Sequence, residues 1–400
     1  MKVLSIFGTR PEAVKMAPVV AELRKHADVE SRVLVTAQHR DMLDQVLDIF
    51  DIQPDFDLDI MQENQAPIQV AAEVLVRLAP VLRSDRPDWV LVQGDTTTAM
   101  AAGLCAFYEK VKVGHVEAGL RTYDRQNPFP EEINRVLADH LADMCFAPTE
   151  AARRALLKEN VPEAKIVVTG NTVIDALQTI VARIDWPSPQ SGIFDGQSGT
   201  QATNGGRPPR LPASPEGLSK MLQSSARGAI VPPGKRLVLV TAHRRENFGR
   251  PLADICAALK EIAARPDVHL VYPVHPNPNV QQPVYAALGG VPAVSLLPPV
   301  DYLEFVSLMS QAHLILTDSG GVQEEAPGLG VPVLVLRAVT ERPEAVEAGA
   351  AQVVGTHTPD IVAAAARLLD DDAIHAAMAR AVNPFGDGRA AGRIVSMLLQ

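Results

Sequence analysis

Three acidic residues stand where a strand-to-helix turn can present them: Asp95 in LVQGDTTT, Glu117 in VGHVEAGLRT and Glu131 in NPFPEEINR. The runs ahead of the first two, Trp89–Gln93 and Val111–Val116, are short, apolar and β-branched, the composition of buried parallel strands. A carboxylate just past the C-terminal end of such a strand lies at the crevice where open α/β sheets bind ligands. Three acids converging there would repel one another and compete for protons, which outlines a proton-transfer site. A plainer role is open to each. Asp95 can cap the helix starting near Thr96, and Glu131 with Glu132 can complement a helix dipole.

Further groups suit an anionic ligand. In TDSGGVQEEA (Thr317–Ala326), Ser319 can cap a helix, while Gly320 and Gly321 let a phosphate approach backbone N–H groups at its positive end. Glu325, in the next turns, can hold ribose hydroxyls or remain a solvated helix acid. FGTRPEAVKMAP carries Arg10 and Lys15 around the first strand-to-helix turn, a fork and a point charge fit for a diphosphate or for surface salt bridges. VTAHRREN sets His243 just after a strand, able to meet a leaving phosphate or a sugar, or to serve structure alone. His39, His115 and His275 occupy similar strand-end positions as weaker candidates, and no histidine shows metal-ligand spacing. Neither GxGxxG after the first strand nor GxxxxGK[ST] is present, which speaks against classical dinucleotide and P-loop sites.

These residues need a scaffold of alternating strands and helices, and the chain has that rhythm twice. It runs from Val3–Phe7 to Glu132–Asp143 and restarts from Arg236–Thr241 to Gln352–Val354. Behind Pro130, the residues Ile133, Val136, Leu137, Leu141 and Met144 fall on one helical face, the period of a helix with a proline-rich entry. Between the two series, Pro187–Gly234 is rich in Pro, Gly, Ser and Gln and too poor in apolar residues to form a core, so it reads as a flexible insertion or linker. The expected organisation is a Rossmann-like domain over 1–186, an insertion over 187–234, a second Rossmann-like domain over 235–382 and a C-terminal helix, 383–400, crossing back to the first domain.

Composition sets outer limits. Four hundred residues, 47% apolar and 21% charged, suffice for two ordinary cores. A net charge of −10 disfavours nucleic acid as the main partner. The three cysteines, Cys105, Cys145 and Cys256, form no CxxC pair and read as core residues of a reducing cytoplasm. MKVLSIFGTRPEA reads as strand and turn rather than a secretory leader, and no apolar run is long enough for a membrane span.

The segments are also more specific together than apart. FGTRPEAVKMAP, VTAQHRDMLDQVL, QGDTTT, GHVEAGLRT, PFPEEINR, TGNTVIDAL, TAHRREN, YPVHPNPNV, TDSGGVQEEAP, TERPEAV and NPFGDGRA, in that order, resemble the bacterial non-hydrolysing UDP-N-acetylglucosamine 2-epimerases across the whole chain outside Pro187–Gly234. The resemblance implies a GT-B fold, two Rossmann-like domains with the active site between them, working as a cytoplasmic homodimer. It implies reversible conversion of UDP-N-acetylglucosamine to UDP-N-acetylmannosamine through 2-acetamidoglucal, without NAD or metal, feeding cell-surface polysaccharide synthesis. Asp95, Glu117 and Glu131 match the family's catalytic carboxylates and His243 its active-site histidine. Arg10, Lys15, Ser319, Gly320, Gly321, Glu325 and Arg342 match positions that bind the UDP-sugar, and Phe305 an aromatic near the uracil. Gln38 and His39 match a region that in several relatives binds a second, activating UDP-N-acetylglucosamine. Val300, where some relatives have glutamine, Asp41, where they have Glu or Gln, and the long insertion depart from the pattern. Three rival readings remain: an epimerase of UDP-2,3-diacetamido-2,3-dideoxy-glucuronate, a GT-B glycosyltransferase, and a nucleotide-sugar sensor without turnover.

Overall fold

Val3, Leu4, Ile6 and Phe7 have no exposed surface. The reason is their place in β1 (Lys2–Phe7), which is flanked on both sides within a parallel sheet and covered by helices. The computed structural model describes residues 1–36, 40–60, 65–184 and 230–400, with the side chains of 40–42 left out. The reading of Pro187–Gly234 as flexible therefore falls largely outside the described residues. The chain divides into two compact units, one of residues 1–179, 341–348 and 382–400, the other of 180–340 and 349–381.

The first unit carries β2 (Glu30–Val35), β3 (Phe56–Asp57), β4 (Trp89–Gln93), β5 (Lys112–Val116), β6 (Met144–Ala147) and β7 (Ile166–Val168) beside β1. Their order is β3-β2-β1-β4-β5-β6-β7, parallel throughout. The helices are α1 (Arg10–Leu23), α2 (Arg40–Ile49), α3 (Pro67–Asp85), α4 (Thr97–Tyr108), α5 (Glu131–Leu141), α6 (Glu150–Lys158) and α7 (Thr172–Val181). This is the doubly wound order, and its direction reverses between β1 and β4. Ligands bind at that switch, outside the strands' carboxyl ends.

The second unit repeats the design. β8 (Arg236–Thr241), β9 (Val268–Pro273), β10 (Val294–Leu297), β11 (Leu314–Thr317), β12 (Val333–Val335) and β13 (Ala351–Val353) lie in the order β10-β9-β8-β11-β12-β13, all parallel. Its switch falls between β8 and β11. Around the sheet run α8 (Arg250–Ala263), α9 (Pro278–Leu288), α10 (Tyr302–Gln311) and α11 (Gly320–Glu325). Past α12 (Pro343–Glu347), which clusters with the first unit, α13 (Thr358–Asp370) and α14 (Asp372–Ala379) complete it. The last helix, α15 (Ala390–Leu398), packs on α1, and Asp175 of α7 accepts hydrogen bonds from Ala390 N and Ala391 N at its N-terminus (3.2 and 2.9 Å).

One expectation needs correction. Met144, counted on the α5 face, belongs to β6, and along the rest of that face Ile133, Val136 and Leu141 are half-buried while Leu137 is 46% exposed. The buried residues of α5 are Glu132, Asn134, Arg135, Ala138 and Asp139. Polar groups occupy the inner face because each finds a bonded partner there, so desolvation is offset and the apolar face is left only partly covered.

Candidate active site

The turn after β4 presents Asp95. Gly94 takes φ +69°, a left-handed backbone that an L side chain adopts only at a cost, and swings the chain out of the strand. Asp95 does not cap α4. Thr96 does, its hydroxyl accepting from Ala99 N at 3.0 Å, which leaves the Asp95 carboxylate for the Arg135 guanidinium of α5. Asn134 fixes the same turn by donating to the Asp95 carbonyl at 3.0 Å.

Glu117 follows β5 and carries φ +66° itself, an outlier for a residue with a side chain. Its carboxylate is nearly buried, at 8% exposure, and takes three donors: Lys15 Nζ from α1, Asn171 Nδ2 at 2.8 Å and Gln93 Nε2 at 3.1 Å. Lys15, expected at a diphosphate, is thus an ion-pair partner of a carboxylate in this structure. Gln93 and Asp95 leave the same strand, so one edge of the sheet carries Glu117 and Asp95 together. Glu131 opens α5 one turn before Arg135 and lies at the helix's first turn, where its carboxylate complements the positive end. Its neighbour Glu132 is structural: buried, it accepts from Thr122 N, Tyr123 N and Arg135.

Arg10 opens α1 beyond β1, across the switch from Asp95. Between them lies Glu12, 1% exposed, accepting from Gly8 N (3.0 Å), Thr9 N (2.7 Å) and Thr96 Oγ1 (2.6 Å). Burial pushes its carboxyl above the ordinary range against those hydrogen bonds.

In the second unit, β8 and β11 end side by side, bridged by Thr241 and Thr317 hydroxyls 2.6 Å apart. Asp318, wholly buried, follows β11 and accepts from His243 N (2.8 Å), Arg244 N (2.8 Å) and Asn247 Nδ2 (2.9 Å). Its other oxygen lies 3.5 Å from His243 Nδ1. Tyr272 donates to the Ala242 carbonyl at 2.7 Å, so the residue before His243 is fixed too. The His243 ring stacks on His275 with centroids 5.3 Å apart. Burial, with repulsion from His275 and Arg244, outweighs the attraction of Asp318 and lowers the His243 pKa. The ring is accordingly neutral at neutral pH, able to donate and to accept.

Ser319 sits at the N-cap of α11, but its hydroxyl makes no capping bond. Gly320 and Gly321 open that helix as expected, and Glu325 ends it, buried. Phe305 is half-buried on α10. Arg342, at the N-cap of α12, clusters with the first unit rather than with this loop. Gln38 and His39 lie outside the described residues. Among the described residues no group of three His, Cys, Asp or Glu side chains is arranged to hold a metal, and no helix is long and apolar enough to cross a membrane.

Five participants escape a reading of the sequence: Gln93, Arg135 and Asn171 around the acids, Asp318 beneath His243, and Glu12 beside Thr96. Only Glu12 carried a local signal, the T-x-x-E spacing of Thr9 and Glu12.

A family model described as UDP-N-acetylglucosamine 2-epimerase matches residues 21–203 and 213–399. The chain belongs to this family. A UDP-N-acetylglucosamine 2-epimerase of Yersinia pestis is 51% identical over 399 residues, covering 100% of this chain and 98% of the relative. That of Escherichia coli (strain K12) is 50% identical over the same span. The crystal structure of the Neisseria meningitidis enzyme bound to UDP-GlcNAc superposes with a TM-score of 0.86 at 45% identity, covering 100% of both chains. The fold is thus that of the family, GT-B-like, with two parallel-sheet α/β units.

Proposed function

We propose that the chain interconverts UDP-N-acetylglucosamine and UDP-N-acetylmannosamine by elimination and re-addition of UDP. The observation that carries the reading is the pair Asp95 and Glu117, held at one sheet edge beside cations, with Glu131 opening the adjoining helix. The C2 hydrogen is not next to a carbonyl, so its removal to a free carbanion is prohibitively costly. Departure of UDP from C1, taking the C1–O electron pair, lets the C2 proton pass to a carboxylate while a C1=C2 double bond forms. The product of that step is 2-acetamidoglucal. Re-addition of the UDP oxygen at C1, with a proton delivered to C2 from the opposite face, completes the inversion. Two acid/base groups and one anion-stabilising loop are required, and no hydride carrier or metal has a step to perform.

The division of labour follows the elements. The loop from Asp318 to Gly321, with His243, takes the UDP, and Asp95, Glu117 and Glu131 handle the sugar's proton. The enzyme acts in the cytoplasm, supplying cell-surface polysaccharide synthesis. It works as a homodimer, a reading supported by Ile68, Val76, Phe107 and Leu137, all exposed on α3, α4 and α5, which pack in a row. A second UDP-N-acetylglucosamine acts as activator near Gln38 and His39.

Turnover in D₂O tests the chemistry. Incubation with UDP-N-acetylglucosamine alone gives the mannosamine isomer carrying deuterium at C2, read by NMR. Epimer without deuterium overturns the elimination route. No epimer at all favours a glycosyltransferase or a sensor. Turnover confined to the 2,3-diacetamido-glucuronate sugar moves the assignment to that substrate.

A further inference from the structure

His115 lies inside β5, wholly buried, and is not a ligand-facing group. Its Nε2 meets the Gly94 carbonyl at 2.7 Å and its Nδ1 meets Asp139 Oδ1 at 2.6 Å. Both partners accept, so the ring must offer a proton at each nitrogen. A neutral ring would set one lone pair against an oxygen at that distance. The group is an imidazolium paired with Asp139. Burial opposes that charge, but Asp139 and the Gly94 carbonyl outweigh it and hold the imidazole above its ordinary range.

The partners matter because of what they carry. Gly94 is the residue before Asp95, and its own N–H donates to the Val116 carbonyl at 3.0 Å, clamping the two strand exits. Glu117 is two residues beyond His115. Asp139 sits on α5, about two turns past Glu131, and also takes Gly119 N (3.2 Å) and Arg121 Nη2 (2.7 Å) from the loop that follows Glu117. Gly119 packs against α6 with φ +87°, where any Cβ would lie 2.4 Å from the Ala152 carbonyl oxygen. Arg121 in turn pairs with Glu159, and Cys145 donates to the Asp139 carbonyl.

We infer that His115 is a positioning residue, tying the Asp95 turn, the Glu117 strand exit and the Glu131 helix into one frame. The inference rests on the epimerase reading and assigns His115 no contact with substrate. Its effect is geometric: misplacing a reacting group by about 1 Å can cost about a hundredfold in rate.

Three variants test it: His115→Phe, which loses both ring bonds; His115→Gln, whose amide N–H₂ can reach the Gly94 carbonyl; and His115→Asn, which can reach Asp139 only. We expect kcat of the Phe variant to fall about 30-fold or more with KM within about threefold, and Gln but not Asn to recover about tenfold. A Phe variant with kcat within threefold of the parent overturns the inference. So does a loss confined to KM, or a Gln variant no better than Asn. Should the Phe variant not fold, the Gln-against-Asn comparison decides alone. Failure of the epimerase reading is seen separately, as a parent without turnover. In that event nitrogen-15 NMR of the His115 ring still decides: two proton-bearing nitrogens at about pH 8 support the frame, and a neutral ring overturns it.

Discussion

Arg135 donates to the Asp95 carboxylate from one helical turn beyond Glu131, so two of the three acids are set by a single helix. The guanidinium is shared, its other arm reaching Glu132 at 3.2 Å. Replacing Arg135 by Met should lower kcat by about tenfold or more and cost about 1–3 kcal/mol of stability, since Glu132 keeps its backbone donors while Asp95 loses its cation. Arg135→Lys should fall between, because a point charge cannot serve both carboxylates as the fork does. Steady-state kinetics and urea unfolding check both.

Amide replacement separates chemistry from scaffold. Asp95→Asn, Glu117→Gln and Glu131→Gln should each reduce turnover by about a hundredfold or more while circular dichroism stays that of the parent fold. Near-normal rates in all three would remove the carboxylates from the mechanism.

His313 gives the second unit a dependence on pH. Its ring stacks on His375 with centroids 3.9 Å apart, and burial, then repulsion from His375, lowers its pKa to about 4. The folded state therefore favours the neutral ring. The stability this contributes is complete above the unfolded value near 6.5 and is lost as pH falls toward about 4. With the ring only partly buried, the loss should be about 1–2 kcal/mol. Urea unfolding of the parent at pH 7 and 5, compared with His313→Gln, should show a flatter profile for the variant.

The scaffold was legible in the sequence because parallel strands covered on both faces must be apolar along their length. Trp89–Gln93 is β4, residue for residue. The candidate site was legible as strand-end chemistry, for Asp95, Glu117 and His243 all leave strands at the carboxyl edge. What escaped was the set of partners. Arg135, Asn171 and Gln93 reach their carboxylates from distant parts of the chain, and no local pattern encodes such a meeting. The cap of α4 went to Thr96 because its hydroxyl reaches Ala99 N while Asp95 has a charged partner elsewhere. Helical periodicity ran the α5 pattern on to Met144, which β6 takes, and it takes no account of the bonded partners that hold the polar face inside.

That helix has a further consequence. Two faces of α5 compete for the interior, and apolar burial alone favours the wrong one, with Ile133 and Leu137 turned inward. The bonded polar set Glu132, Asn134, Arg135 and Asp139 favours the native rotation, so those residues act as a rotational lock. An effort to stabilise this protein by raising the hydrophobicity of its buried positions would remove the lock first. The product would be a well-packed chain whose Glu131 faces the wrong way.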